Sequence, residues 1–224
     1  LKLNSANAWQ WGRSAGGTSN DVGNGISVDA SLNVFLTGSF ASGNLTLGTF
    51  TLNTSATAVG VDNGFVSKYN SSGTIQWANL IGSNSVAQGL DVENDNSGNT
   101  YVGTRYASIS SLTSRANVYM YNSSGLFQWL ASGSPNGSGT GAANHISIDN
   151  NGNIYVTGQL PTSGMTLGTT TLTSAGQSDP FVAKIACISP TITGNSNICS
   201  GLTTTLTISG ASSYTWNTGS NNTS

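Results

Sequence analysis

Apolar and polar residues alternate in short runs along most of the chain, and clusters of Gly, Asn, Ser and Asp separate the runs. Gly25-Ile26-Ser27-Val28-Asp29 is followed, after a short break, by Asn33-Val34-Phe35-Leu36-Thr37-Gly38. Alternation with a period of two on both sides of a polar break predicts a β-hairpin. The same module returns as Gly89-Leu90-Asp91-Val92-Glu93 with Gly98-Asn99-Thr100-Tyr101-Val102-Gly103, and as His145-Ile146-Ser147-Ile148-Asp149 with Gly152-Asn153-Ile154-Tyr155-Val156-Thr157-Gly158.

Sliding the chain against itself exposes the rest of a repeat. Lys68-Tyr69-Asn70-Ser71-Ser72-Gly73-Thr74-Ile75-Gln76-Trp77 matches residues 120–129 without a gap, and the same frame lands on residues 2–11. Leu47-Gly48-Thr49-Phe50-Thr51-Leu52 recurs as Leu167-Gly168-Thr169-Thr170-Thr171-Leu172 but has no middle counterpart. Asp62-Asn63-Gly64-Phe65-Val66-Ser67-Lys68 pairs with Asp179-Pro180-Phe181-Val182-Ala183-Lys184. One repeat therefore predicts four consecutive antiparallel strands with an optional hairpin. A unit of about 50 to 65 residues is the size of a β-propeller blade and too long for a solenoid rung.

Composition narrows this further. Charged residues make up only 6% of 224 residues, 6 basic against 8 acidic, with 29 Gly. So few Lys, Glu and Arg argue against exposed helix faces. The basic residues are scattered singly, which argues against a nucleic-acid backbone as partner, and no apolar run is long enough for a membrane span. A single histidine, His145, removes multi-histidine metal centres.

Together these motifs resemble the SBBP-type bacterial β-propeller repeat of large secreted and surface-attached proteins, over residues 1–186. The middle repeat departs from the pattern, with Ser114 in place of the Asp and Met120 in place of the Lys. After Lys184 the Asn-Ser-Ser-Gly turn and its Trp strand do not follow. Residues 187–224, with Ile198-Cys199-Ser200-Gly201 and Tyr214-Thr215-Trp216, are similar to immunoglobulin-like, PKD-like modules but too few for a complete sandwich of about 100 residues. The expected fold is all-β: an open arc of about three four-stranded antiparallel blades, starting inside a blade, then the first strands of a sandwich. Both ends look cut from a longer chain; two copies meeting to form a ring is the alternative.

Asp29, Glu93 and Asp149 recur before the hairpin turn, where they suit capping of the turn; a calcium loop around residues 93–98 is the alternative. No other cofactor or metal is expected. Asp62 with Lys68, and Asp179 with Lys184, are read as structural pairs, by ion pair or hydrogen bond, because both partners are lost together in the middle repeat. Trp11, Trp77 and Trp129 share one repeat position and suit packing between blades, and Trp216 suits the start of the sandwich core. Trp9 and His145 are the candidates for binding, and Cys187 and Cys199 for a disulfide in an oxidising setting. No catalytic constellation is recognisable. The resemblance implies a non-enzymatic extracellular scaffold or adhesion-type segment that contacts a protein or glycan. The alternative is the carbohydrate-binding or positioning part of a secreted hydrolase whose catalytic residues lie outside this chain.

Overall fold

The structure, a computed structural model, describes residues 2–3, 8–54, 62–82, 85–108, 113–185, 191–193 and 207–209. Every regular element among them is a β-strand, and every strand pairing is antiparallel. Residues 1–185 form one compact unit and residues 186–224 a second. In the second unit β19 (Thr191–Thr193) pairs with β20 (Thr207–Ser209). Trp216, Cys187 and Cys199 lie outside the described residues.

The first unit opens with β1 (Lys2–Leu3), β2 (Trp9–Trp11) and β3 (Ala15–Gly16). Sheet I is a four-stranded meander of β4 (Asp21–Val28), β5 (Val34–Phe40), β8 (Asn63–Tyr69) and β9 (Ile75–Ile81), with the hairpin β6 (Asn44–Leu47) and β7 (Phe50–Asn53) inserted before β8. Sheet II repeats the meander as β10 (Ser85–Asn94), β11 (Thr100–Ser108), β12 (Ser114–Tyr121) and β13 (Phe127–Pro135). Sheet III has three strands, β14 (Ala142–Ile148), β15 (Ile154–Leu160) and β18 (Asp179–Ile185), and its inserted hairpin is β16 (Met165–Leu167) with β17 (Thr170–Leu172). The inserted hairpins do not extend their own sheets. Each pairs backward instead, β6 with β3 and β16 with the end of β13, and so ties its sheet to the strand that precedes it.

The sheets stack face to face. Phe35, Val66, Trp77 and Ile81 from one face of sheet I pack with Val92, Val102, Tyr119 and Tyr121 of sheet II. Tyr101, Ala116 and Val118 from the opposite face of sheet II pack with Ile146, Ile154, Val156 and Phe181 of sheet III. A third cluster, Phe40, Leu45, Leu47 and Phe65, seats the β6–β7 hairpin. Each first strand carries a bulge, at Asn24, Leu90 and Asn144, where the register against its neighbour slips by one. At Gly38 and Gly158 a Cβ would stand 1.9 Å from the carbonyl oxygens of Val22 and Ala142, so the backbones meet there in a way only glycine permits.

Five turns share one construction. A side-chain oxygen of Asp29, Asn70, Asp95, Asn122 or Asp149 accepts N–H bonds from the residues two and four places on. The residue three places on is left-handed in each: Gly73, Gly98, Gly125, Gly152 and, in the first turn of sheet I, Leu32 at φ 62°. A left-handed L-residue costs about 1–2 kcal/mol, and glycine gives back about half of that as chain entropy. Leu32 is largely exposed. Leu32→Gly is therefore expected to stabilise the first unit by about 0.5–1 kcal/mol in urea unfolding; a loss would show that the Leu32 side chain contributes packing that outweighs its strain.

These turns also correct the sequence register of the middle repeat. Asp95, not Glu93, stands where Asp29 and Asp149 do, because its Oδ1 accepts the Ser97 and Asn99 amides and its Oδ2 the Asn99 side chain. Ile26, Val92 and Ile146 are then equivalent, paired with Leu36, Val102 and Val156. Asp179 is likewise displaced by one. It pairs with Leu160 as Asn63 pairs with Phe40, so the counterpart of Asp62 is Ser178.

Candidate functional site

The recurring tryptophans are the joints of the stack. Trp77 leaves sheet I to lie on the Asn122–Gly125 turn of sheet II, where its Nε1–H donates to the Ser123 carbonyl at 3.4 Å and its ring stacks on Tyr121 at 6.4 Å. Asn79 adds a bond from Nδ2 to the Gly125 carbonyl at 2.8 Å. Trp11 does the same on sheet I: its Nε1–H donates to Ser71 at 3.0 Å, its ring stacks on Tyr69 at 6.5 Å, and Arg13 reaches Gly73 at 2.8 Å. A Cβ on Gly73 or Gly125 would stand 2.7 or 2.6 Å from the indole, so each glycine makes room for its tryptophan. Trp129 rests against Tyr101 at 5.9 Å, and the sequence after Ile185 carries no Asn-Ser-Ser-Gly run like those under Trp11 and Trp77.

The expected charged pairs are otherwise occupied. Lys68 Nζ lies 5.2 Å over the Phe35 ring and Lys184 Nζ 5.5 Å over Tyr155, in both cases the residue directly across the strand pair. Met120 faces Tyr101 in the same register, so an apolar side chain can replace the lysine there. Asp62 is six residues from Lys68, about 20 Å along an extended strand. It accepts from Gln88 Nε2, and its carbonyl accepts the Ala87 amide, which links β8 to β10. Ser114 makes the corresponding link to sheet III through Gly141. Asp179 accepts from Ser174 and the Ala175 amide in its own loop, the amide foremost in holding its carboxyl below the usual range.

Polar groups also gather along the first strands. His145 occupies the repeat position of Asp91 in the neighbouring sheet, and the two meet at 3.7 Å between Nδ1 and Oδ2. Asp91 also accepts the Ile146 amide at 2.9 Å, and Glu93 accepts the Ser27 hydroxyl at 3.3 Å, so the two acids of β10 bond to the sheets on either side. Burial foremost, and then the Asp91 charge, pushes the Glu93 carboxyl above its ordinary 4.5. A raised carboxyl holds its proton more tightly folded than unfolded, so stability falls as pH rises from the ordinary value through the folded one. Glu93→Gln is expected to raise the stability measured by urea unfolding at pH 7 by less than about 1 kcal/mol, the scale of part-exposed charges. The gain should vanish near pH 3, where the carboxyl is protonated in both states. A destabilised variant at pH 7 would mean that the ionised form supports the fold.

Clefts form where an inserted hairpin meets the strand before it. One of about 370 Å³ is lined by Arg13, Gly48, Tyr69, Gly73 and Ile75. Its counterpart at sheet III, about 360 Å³, is bordered by Ala131, Gly133, Leu167, Phe181, Ala183 and Ile185 and is far more apolar, since the sequence after Ile185 supplies no Asn-Ser-Ser-Gly turn. Trp9 stands exposed on β2, unlike half-buried Ile75 at the same repeat position; Phe127, the third equivalent, is exposed as well because sheet II lacks the hairpin. No group of three or more His, Cys, Asp and Glu among the described residues is placed to hold a metal. Comparison of the sequence with protein-family models and with curated proteins gives no match.

Proposed function

We propose that the chain is a non-enzymatic extracellular scaffold or adhesion-type segment, its sheets stacked as an open arc of propeller-type blades of the SBBP kind and followed by a PKD-like module. One observation carries this reading. All eight acidic side chains accept hydrogen bonds from the chain itself: Asp21 from the Gly17 amide, Asp29, Asp95 and Asp149 from their turns, Asp62 from Gln88, Asp91 from Ile146, Glu93 from Ser27 and Asp179 from Ala175. Carboxylates bound into turns and strand links are poor candidates for proton transfer, which needs a group free to reach a substrate. What the surface offers instead is aromatic and aliphatic: Trp9, Leu126, Phe127 and Leu130 are exposed. Such side chains suit contact with a glycan or protein at a cell surface.

Binding of the whole chain to an array of bacterial and host glycans tests this, with Trp9→Ala as the variant. Retained glycans whose affinity drops about 10-fold in the variant would support the reading. The hydrolase reading differs in one readout: cleavage of a bound glycan by the isolated chain would overturn the scaffold assignment.

A further inference from the structure

The same repeat position is buried or bare depending on whether a sheet lies against it. Ile26, Val92 and Ile146 hold one place on the forward face of sheets I, II and III. Val92 and Ile146 are 0% and 5% exposed beneath the preceding sheet, and Ile26 is 63% exposed. Val66, Val118 and Val182 hold one place on the rear face. The first two are 0% and 3% exposed, and Val182 is 76% exposed. Val28, two places on along the same face, is exposed too. The bare residues are as aliphatic as their buried counterparts, so each outer face is chemically an interface.

The two outer faces also match each other. Ile146 of sheet III packs on Gly103 of sheet II, whose Cβ position is 3.1 Å from its side chain. The place of Gly103 is taken in sheet III by Thr157, which bonds the Phe181 carbonyl as Thr37 bonds that of Phe65. Thr157 lines a cleft of about 180 Å³ with His145, Tyr155 and Val182. The internal interfaces thus dictate what the rear of sheet III receives: an aliphatic side chain at the position of Ile26.

We propose that copies of this chain associate head to tail, the forward face of sheet I in one copy seated on the rear face of sheet III in the next, with Ile26 entering the Thr157–Val182 cleft. The contact is heterologous, so it generates a ring or an open series of copies. It continues the stacking already present between sheets I, II and III and does not depend on what the chain binds.

Sedimentation velocity of the whole chain, up to about 1 mM so that even an association of about 4 kcal/mol registers, is the test. Mass should rise with concentration beyond one chain, or stand above one chain throughout if the ring is tight. A single-chain mass across the whole range would overturn the proposal. Ile26→Glu and Val182→Glu each place a charge on one face and should each weaken association by about 100-fold or more. Both positions are exposed in the single chain, so the far-UV circular dichroism of each folded variant should match the parent. Mixing the two variants provides the sharper readout, because one intact face remains on each. The mixture should form a complex of two chains and no more. Absence of that complex, or undiminished association of either variant alone, would refute the pairing of these faces.

Discussion

Trp77→Ala should cost the first unit about 3–5 kcal/mol, the range for removing a buried tryptophan, and should be the most damaging single truncation in the stack. The ring joins three partners at once: Phe35 at 6.1 Å in its own sheet, Tyr121 in the next, and the Asn122–Gly125 turn beneath its Nε1–H. Truncation leaves a hole at the seam between two sheets, and Gly125 loses the group it was shaped around. Trp129→Ala is the internal comparison. It removes the same side chain from the same repeat position, where the sequence ahead carries no Asn-Ser-Ser-Gly motif, and should cost roughly half as much on the same scale. Urea unfolding with an unchanged m-value measures both. Equal losses at 77 and 129 would mean that the turn contributes little and that ring burial alone sets the cost.

The second large effect is expected at a glycine. Gly38→Ala drives a methyl group to 1.9 Å from the Val22 carbonyl oxygen and 2.9 Å from its carbon, and both are backbone atoms that no rotamer change can move. The strands would have to separate at the bulge, with a loss at the upper end of the usual overpacking range, about 3 kcal/mol. Gly158→Ala should behave alike, since Ala142 stands where Val22 does. Gly43 has nothing within 4 Å of its Cβ position, and Gly43→Ala should change stability by less than about 0.5 kcal/mol. A Gly38→Ala protein as stable as the Gly43→Ala protein would show that the bulge shifts without cost.

The alternating pattern made the strands and the repeat legible, because burying one face of a sheet imposes a period of two. The same periodicity hid the register of the middle repeat. Sliding Gly89–Glu93 by two residues keeps every side chain on its proper face, so alternation could not choose between Glu93 and Asp95. The spacing from Asp95 to Asn99 could, since Asp29 to Asn33 and Asp149 to Asn153 repeat it, and the turn hydrogen bonds depend on that spacing. Lys68 meets Phe35 and not Asp62 for a related reason. A strand residue meets the one across the pair, and Phe35 lies far back in the sequence, whereas Asp62 is close in sequence and remote in space. The packing role of Trp11 and Trp77 was legible from recurrence, but the surface each covers was not, since it belongs to the following sheet. Nor did the pattern reveal that the β6–β7 and β16–β17 hairpins pair backward, because their partners lie in strands of an earlier repeat.

Each tryptophan joint spans two sheets, so a sheet is not the piece of this chain that can be moved intact. Cutting between sheets I and II would part Trp77 from its turn. Cutting within the Asn-Ser-Ser-Gly turns would not: the segment from Asn70 to Tyr121 carries the fourth strand of one sheet with the first three of the next, and the Asn122 turn that follows restores the same seam. Lengthening the array by duplicating residues 70–121 keeps the indoles of Trp11 and Trp77 over glycines, so the natural unit for building with this chain is staggered by one strand from the unit the eye picks out.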